Sequence, residues 1–121
     1  MATIELNQAN FEEVVGGKDM VIVDFWAPWC GPCVSFAPTY EKMSEKFPDI
    51  VFGKVNTEVE QELAGSFQIR SIPTLMVFRD NIIVYSEAGA LPASGLEQLI
   101  TQVQKLDMEE VRKDIAAQEA A

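Results

Sequence analysis

The chain has 121 residues, the size of a single domain, and a hydrophobic fraction of 48% that is ordinary for a folded core. Nine Lys and Arg against nineteen Asp and Glu give a formal charge of -10, which repels nucleic-acid phosphates and anionic lipid headgroups, so we expect neither nucleic acid nor membrane as a partner. With no histidine and two cysteines, the sequence excludes Cys-His proteases, Ser-His-Asp hydrolases and histidine-ligated metal sites, and a structural zinc site would lack two thiolates.

The first elements predicted along the chain are a short strand, a helix and a central strand. Residues 3–6 favour the short strand, and Asn7 is suited to cap a helix that Gly16 and Gly17 end. Residues 20–26 are apolar on both alternating faces. Strands covered on both sides have this pattern, so we expect the segment at the centre of a sheet.

A long helix, a strand and a shorter helix are predicted next. The long helix covers residues 30–47, and Pro38 inside it removes one backbone hydrogen bond, so we expect a kink there. Residues 50–55 then favour a buried strand and residues 58–67 a helix. The apolar residues that recur at helical spacing in the long helix are Phe36, Tyr40, Met43 and Phe47.

The last part of the predicted domain is a hairpin followed by an amphipathic helix. Residues 74–78 and 82–86 favour two strands that turn at Asp80 and Asn81, and residues 94–106 favour the helix. The inward face of this helix is predicted to carry Leu96, Leu99, Ile100, Val103 and Leu106.

These elements predict an α/β fold, with a parallel portion and an antiparallel hairpin at one edge. The domain covers residues 1–106, and residues 107–121 form a short helical extension that is not a separate domain. Asp107 is suited to cap that extension. Its apolar face carries Met108, Val111 and Ile115.

The chemistry is predicted to reside in Cys30 and Cys33, which directly follow a strand and open a helix. Side chains three apart lie on one side of the first helical turn, close enough to form a disulfide. Unpaired backbone N–H groups and the helix dipole favour a thiolate at Cys30, the predicted nucleophile, while Cys33 lies deeper and is suited to resolve a mixed disulfide. Gly31 leaves the approach open, and Pro32 is tolerated in a first turn.

Two other interpretations of the cysteine pair are a structural disulfide and half of a zinc site. The N-terminus shows no secretory signal, so we expect a cytoplasmic protein, in which structural disulfides are rare. The missing ligands argue against zinc. The redox interpretation is therefore preferred.

The segment Asp24-Phe25-Trp26-Ala27-Pro28-Trp29-Cys30-Gly31-Pro32-Cys33 resembles the active-site signature of the thioredoxin family. The resemblance covers roughly residues 4–106. Further segments resemble family landmarks in the same order: Pro38, Lys54 within residues 52–56, residues 69–74, and Ala88-Gly89-Ala90.

The resemblance implies a thioredoxin fold, with a mixed sheet of about five strands and about four helices, and a protein-disulfide reductase that serves cell redox homeostasis and electron transport. The partners that it implies are disulfide-containing client proteins and a thioredoxin reductase, which would contribute NADPH and FAD. The chain has no nucleotide-binding glycine motif, so we expect no cofactor of its own. We expect a monomer.

Asp24 and Lys54 are the proton-handling residues that the resemblance implies. An ionised carboxylate inside an apolar strand costs several kcal/mol unless it is paired, so Asp24 needs an explanation. In the family this aspartate lies beneath the disulfide and, through water, accepts the proton of the resolving thiol, here Cys33. Burial should raise the pKa of Asp24 and Lys54 should oppose that rise. The alternative is a structural Asp-Lys pair without a catalytic part.

The client-binding groove is also implied by resemblance. Ile72 and Pro73 resemble the family's cis-proline segment, which offers backbone to a client segment bound as an added strand. The residues around Cys30 would then be Trp29, Gly31, Pro32, Ile72, Pro73, Gly89 and Ala90. Trp26 is better suited than Trp29 to a core position.

Two rival functions remain open at this point. One is a thiol oxidase or isomerase of the same fold, which usually has a histidine between the cysteines. The other is a binding module, such as a processivity subunit or chaperone, that uses the groove without redox turnover. Two positions depart from the family: Asn81 and Gln68 stand where glycine is common, and Gln68 lies just before the client-facing loop.

Overall fold

The computed structural model describes residues 2–120, in which strands and helices alternate as predicted. The elements are β1 (Thr3–Glu5), α1 (Phe11–Gly16), β2 (Met20–Trp26), α2 (Gly31–Lys46), β3 (Val51–Asn56), α3 (Gln61–Ser66), β4 (Thr74–Arg79), β5 (Ile82–Ala88), α4 (Ala93–Gln104) and α5 (Met108–Ala120). The predicted fold class is confirmed: a mixed sheet of five strands, four helices and a C-terminal helix.

The five strands form one sheet in the order β1-β3-β2-β4-β5. The three strands on the β1 side run parallel, and β4 runs antiparallel to both β2 and β5. In this register Asp24 of β2 lies between Lys54 of β3 and Leu75 of β4. The central strand β2 is therefore covered on both edges, and it ends directly before the cysteine pair.

Two apolar layers cover the sheet. One contains Phe36, Tyr40 and Met43 of α2 with Leu96 and other residues of α4. The other contains residues of α1 and α3, packed around aromatic side chains such as Phe11 and Phe78. Because each helix buries one apolar face on the sheet, α2 is fixed along its length and its first turn has a defined position.

Two helices begin later than the sequence predicts. The Asn7 side chain accepts the N–H groups of Ala9 and Asn10 at 2.9 Å and so caps a preceding turn, while α1 itself begins at Phe11. Similarly, the Asn56 side chain accepts the N–H of Glu58 at 3.0 Å, and this Asx turn delays α3.

The prediction that Leu106 faces the core is wrong. The helix α4 ends at Gln104, and Leu106 is 37% exposed beyond it. The guanidinium of Arg79 donates to the carbonyl oxygen of Val103 at 2.6 Å, so β4 supplies a cation to the carboxyl end of the helix.

The helix α2 continues through Pro38 and ends at Lys46.

The C-terminal helix α5 lies beside the hairpin. The carboxylate of Asp107 accepts the N–H groups of Glu109 and Glu110 at 3.1 and 3.3 Å, which gives the helix the predicted cap. Met108 is buried, and Arg112 forms an ion pair with Asp80 at 3.1 Å. An open cleft is lined by apolar residues of both elements and of the connection before α5: Ile82, Ile83, Val84, Leu106, Val111 and Ile115.

Candidate functional site

The cysteine pair occupies the N-terminus of α2. Cys30 is the N-cap, and its Sγ accepts the backbone N–H of Cys33 at 3.3 Å. The two residues form a disulfide, with their Cα atoms 5.2 Å apart. Both are buried, Cys30 with 5% and Cys33 with 2% of its surface exposed. A thiolate formed at Cys30 would meet that N–H group and the positive end of a 16-residue helix.

The segment Ile72–Pro73 lies against the disulfide. Its peptide bond is cis, and the Ile72 carbonyl oxygen is 3.8 Å from the Sγ of Cys30. Pro73 is buried, and its carbonyl oxygen accepts the N–H of Gly89 at 2.7 Å. Gly89 has a φ of +107°, a conformation that side chains rarely allow. The structure thus brings Ile72, Pro73 and Gly89 to the edge of the redox pair.

The remaining predicted groove residues lie at the surface. Gly31 and Pro32 are exposed in the first turn of α2, and an added Cβ at Gly31 would meet no atom within 4 Å. Packing within the chain therefore does not require glycine at that position. Ala90 is also exposed, and it directly follows Gly89.

Asp24 is buried beneath this region, in the middle of β2. Its side chain has no exposed surface, and neither carboxylate oxygen has a hydrogen-bond partner among the described residues. Loss of water raises the pKa of Asp24 to about 7, although the positive charge of Lys54 lowers it in part. The carboxyl group is thus able to hold or release a proton near neutral pH.

Lys54 does not neutralise Asp24 by direct contact. Its Nζ lies 4.4 Å from the centroid of the Trp26 ring, in a cation-π arrangement. Both side chains line an open cleft of about 460 Å³ that Pro38 also borders. Among the described residues no hydrogen bond or ion pair joins Asp24 to Lys54, so the positive charge acts on the carboxylate from a distance.

Tyr40 is a buried polar group that the sequence analysis treated only as apolar. Its hydroxyl lies 2.9 Å from the Ile22 carbonyl oxygen and 2.8 Å from that of Gly53, so its single proton can be donated to either strand. Burial, together with the nearby charge of Asp24, raises the pKa of Tyr40 well above its usual range. The neutral phenol thus anchors α2 to β2 and β3, the two strands that carry Asp24 and Lys54.

Trp29 differs from Trp26 in its surroundings. Trp29 is 69% exposed, whereas Trp26 is half-buried beside Ala27 and the two cysteines. The Trp29 indole N–H donates to the carboxylate of Glu58. Sequence reasoning did not identify Glu58, although its position two residues after β3 offered a signal, because the carboxyl ends of parallel strands meet at one edge of a sheet.

Within residues 2–120, no group of three or more Cys, Asp or Glu side chains is placed to hold a metal ion. None of the helices in that part is long and apolar enough to cross a membrane.

Comparison with known proteins places these residues in a family. The family model described as Thioredoxin matches residues 2–102. "Putative thioredoxin 2" of Streptomyces coelicolor is 52% identical over 119 residues, which cover 98% of this chain and 89% of that protein. "Thioredoxin" of Haemophilus influenzae is 39% identical over 101 residues, 82% of this chain and 94% of that protein.

Solved structures give the same result. A thioredoxin from Plasmodium falciparum superposes with a TM-score of 0.77 at 37% identity, covering 83% of this chain and 98% of that one. A mutant thioredoxin from Halobacterium salinarum gives a TM-score of 0.80 at 30% identity, covering 86% of this chain and 92% of that one. The Streptomyces alignment covers 98% of this chain and therefore also spans most of the C-terminal extension.

Proposed function

The chain belongs to the thioredoxin family and carries out dithiol-disulfide exchange as a disulfide-reducing oxidoreductase, and from this premise we propose the roles of its residues. Cys30 is the nucleophile and Cys33 the resolving thiol. The observation that carries this assignment is the position of Cys30 as N-cap of α2, where its sulfur accepts the Cys33 N–H. That contact stabilises a thiolate at Cys30 and not at Cys33.

The reaction has two exchange steps. The Cys30 thiolate attacks one sulfur of a client disulfide, which forms a Cys30-client disulfide and releases the other client sulfur as a thiolate. Cys33 then loses its proton and attacks the sulfur of Cys30, which forms the Cys30-Cys33 disulfide and releases the second client thiolate. After protonation the client holds two thiols, and the two electrons have come from the protein.

Asp24 is proposed to take the proton of Cys33. Its pKa of about 7 suits a base at neutral pH. Since neither carboxylate oxygen has a hydrogen-bond partner among the described residues, the proton would pass through water. Lys54, which lines the open cleft beside Trp26, favours the ionised carboxylate from β3 through its positive charge.

The client would bind across the exposed face of the disulfide. The Ile72 backbone beside Cys30 is suited to pair with an extended client segment, as in strand addition. Trp29, Gly31, Pro32, Pro73, Gly89 and Ala90 would border this segment. None of these side chains is charged, so the direct surroundings of the disulfide accept apolar client residues.

Family membership implies disulfide-containing clients and a thioredoxin reductase as partners. We further propose a cytoplasmic monomer without a cofactor of its own, with the NADPH and FAD belonging to the reductase. Residues 1–106 form the functional domain in this proposal, and residues 107–121 are an extension of it.

Insulin reduction driven by NADPH and a thioredoxin reductase tests the function. The wild-type protein should accelerate precipitation of the insulin B chain and consume NADPH, and Cys30→Ser should do neither. A redox potential nearer to those of the oxidases than to those of reductases would instead reverse the direction of electron flow and contradict the proposal.

A further inference from the structure

The contact between Trp29 and Glu58 adds a feature to the rim of the site. Trp29 directly precedes Cys30 and is 69% exposed, and its indole N–H donates to the Glu58 carboxylate. An exposed indole on a loop has several rotamers available, and one strong hydrogen bond to a charged acceptor selects among them. Glu58 therefore fixes the position of a large apolar surface beside the nucleophile.

The backbone of Glu58 is held in place by hydrogen bonds to two neighbouring side chains. Its N–H donates to the Asn56 side chain at 3.0 Å, and its carbonyl oxygen accepts the Gln61 side-chain amide at 3.1 Å. The preceding residue, Thr57, donates both its N–H and its hydroxyl to the Trp26 carbonyl oxygen, at 2.8 and 3.0 Å. The loop after β3 is thus tied to the end of β2, from which the chain continues to Trp29.

The Glu58 carboxylate also brings charge to this rim. Within residues 2–120, the ion pairs found are Lys46–Glu97, Arg112–Asp80 and Lys113–Glu109, none of which includes Glu58. A hydrogen bond to an indole leaves the full negative charge in place. A client that approaches Cys30 past Trp29 consequently meets this uncompensated charge.

We propose that Glu58 is a positioning and specificity-determining residue for disulfide exchange. It holds the Trp29 indole beside Cys30, and its charge favours client segments that carry Lys or Arg next to their disulfide. This inference rests on the proposed role of Cys30 as the nucleophile. The partner chemistry follows from the sign of the charge, since a like charge at the same place would be repelled.

Two synthetic peptides with the same intramolecular disulfide test the charge. One has lysines beside the disulfide and the other glutamines, and the readout is the ratio of their kcat/KM values. Glu58→Gln keeps an oxygen that can accept the indole N–H but removes the charge, so the ratio should fall about two- to fivefold, the range of an exposed ion pair. Glu62→Gln, an exposed glutamate of α3, is the matched control and should leave the ratio unchanged.

The indole ¹H–¹⁵N resonance of Trp29, assigned with Trp29→Phe, tests the positioning without turnover. Glu58→Ala should shift this resonance and Glu58→Gln should preserve it more closely. An unmoved resonance in Glu58→Ala, an unchanged peptide ratio in Glu58→Gln, or an equal fall in Glu62→Gln would each overturn the inference. If the wild-type protein reduced neither peptide, the proposed function would fail, and the resonance would still decide whether Glu58 holds Trp29.

Discussion

Asp24 and Lys54 are register partners on adjacent parallel strands, yet the Lys54 ammonium lies over the Trp26 ring, 4.4 Å from its centroid. The carboxylate is left buried and without a hydrogen-bond partner among the described residues. Its pKa is consequently raised to about 7, because desolvation outweighs the attraction of Lys54. This arrangement makes a structurally unfavourable residue available for proton transfer.

The first prediction concerns stability. The unfolded chain ionises Asp24 near 3.8 and the folded chain near 7, so between these values the folded state binds more protons. Stability from this group is therefore fully present below about pH 4 and falls as pH rises through 7. In urea unfolding at pH 8, the free energy of unfolding of Asp24→Asn should exceed that of the wild-type protein by about 2–4 kcal/mol. Between pH 5 and pH 8 the variant should also lose less of this free energy than the wild-type protein does.

Asp114→Asn is the control for this measurement, since it removes an exposed carboxylate from α5. It should leave the pH dependence of the wild-type protein in place. Equal stability of the wild-type protein and Asp24→Asn at pH 8 would contradict the claim that burial of the ionised Asp24 carboxylate destabilises the folded state.

The second prediction concerns the resolving step. If Asp24 accepts the Cys33 proton, Asp24→Asn should prolong the life of the mixed disulfide about 100-fold at pH 7, the lower end of what a general base supplies. Acid-quenched rapid mixing with a client disulfide measures its decay. A decay rate equal to that of wild type would remove Asp24 from the mechanism.

Lys54→Gln provides a graded test of the same step. Loss of the positive charge raises the pKa of Asp24 further, so the pH at which the mixed disulfide begins to decay rapidly should move upward. Lys42→Gln removes an exposed lysine of α2 and should not move it.

The third prediction uses the backbone of Gln68, whose φ of 56° lies in the left-handed region. A glutamine pays a steric penalty there that glycine avoids, so Gln68→Gly should stabilise the protein by about 0.5–1 kcal/mol in urea unfolding. Asn81 has a φ of 66°, but asparagine tolerates this conformation, and Asn81→Gly should change stability less. A larger gain in stability for Asn81→Gly than for Gln68→Gly would contradict this explanation.

The fourth prediction concerns the C-terminal extension. Removal of residues 107–121 uncovers apolar surface of the hairpin and deletes the buried Met108 and the Arg112–Asp80 ion pair. We expect a loss of about 2 kcal/mol in the free energy of unfolding, with insulin reduction retained. Loss of insulin reduction in a truncated protein that remains folded would instead assign the extension a functional part.

Much of this fold was predictable because its strands are short, strongly apolar and separated by clear turns. The segment Met20–Trp26 was predicted with its observed bounds, and the turn residues Asp80 and Asn81 both have positive φ values, as a tight hairpin requires. The prediction that Leu106 faces the core was wrong because helical spacing continues in the sequence beyond Gln104, where α4 ends.

The candidate site was predictable only in part. The spacing of Cys30 and Cys33 sufficed for the redox pair, since a first helical turn brings them together. The cis bond before Pro73 was expected from family resemblance alone, because most bonds before proline are trans. The contacts of Lys54 with Trp26 and of Glu58 with Trp29 depend on side-chain rotamers, which no sequence pattern specifies.

The order of attack is tested most directly by trapping. Cys33→Ser, mixed with a client disulfide, should accumulate a covalent complex that reductant releases and whose linkage mass spectrometry assigns to Cys30. Cys30→Ser should accumulate far less, because Cys33 is 2% exposed and is not the N-cap of α2. Accumulation in Cys30→Ser but not in Cys33→Ser, with both variants folded, would contradict the account.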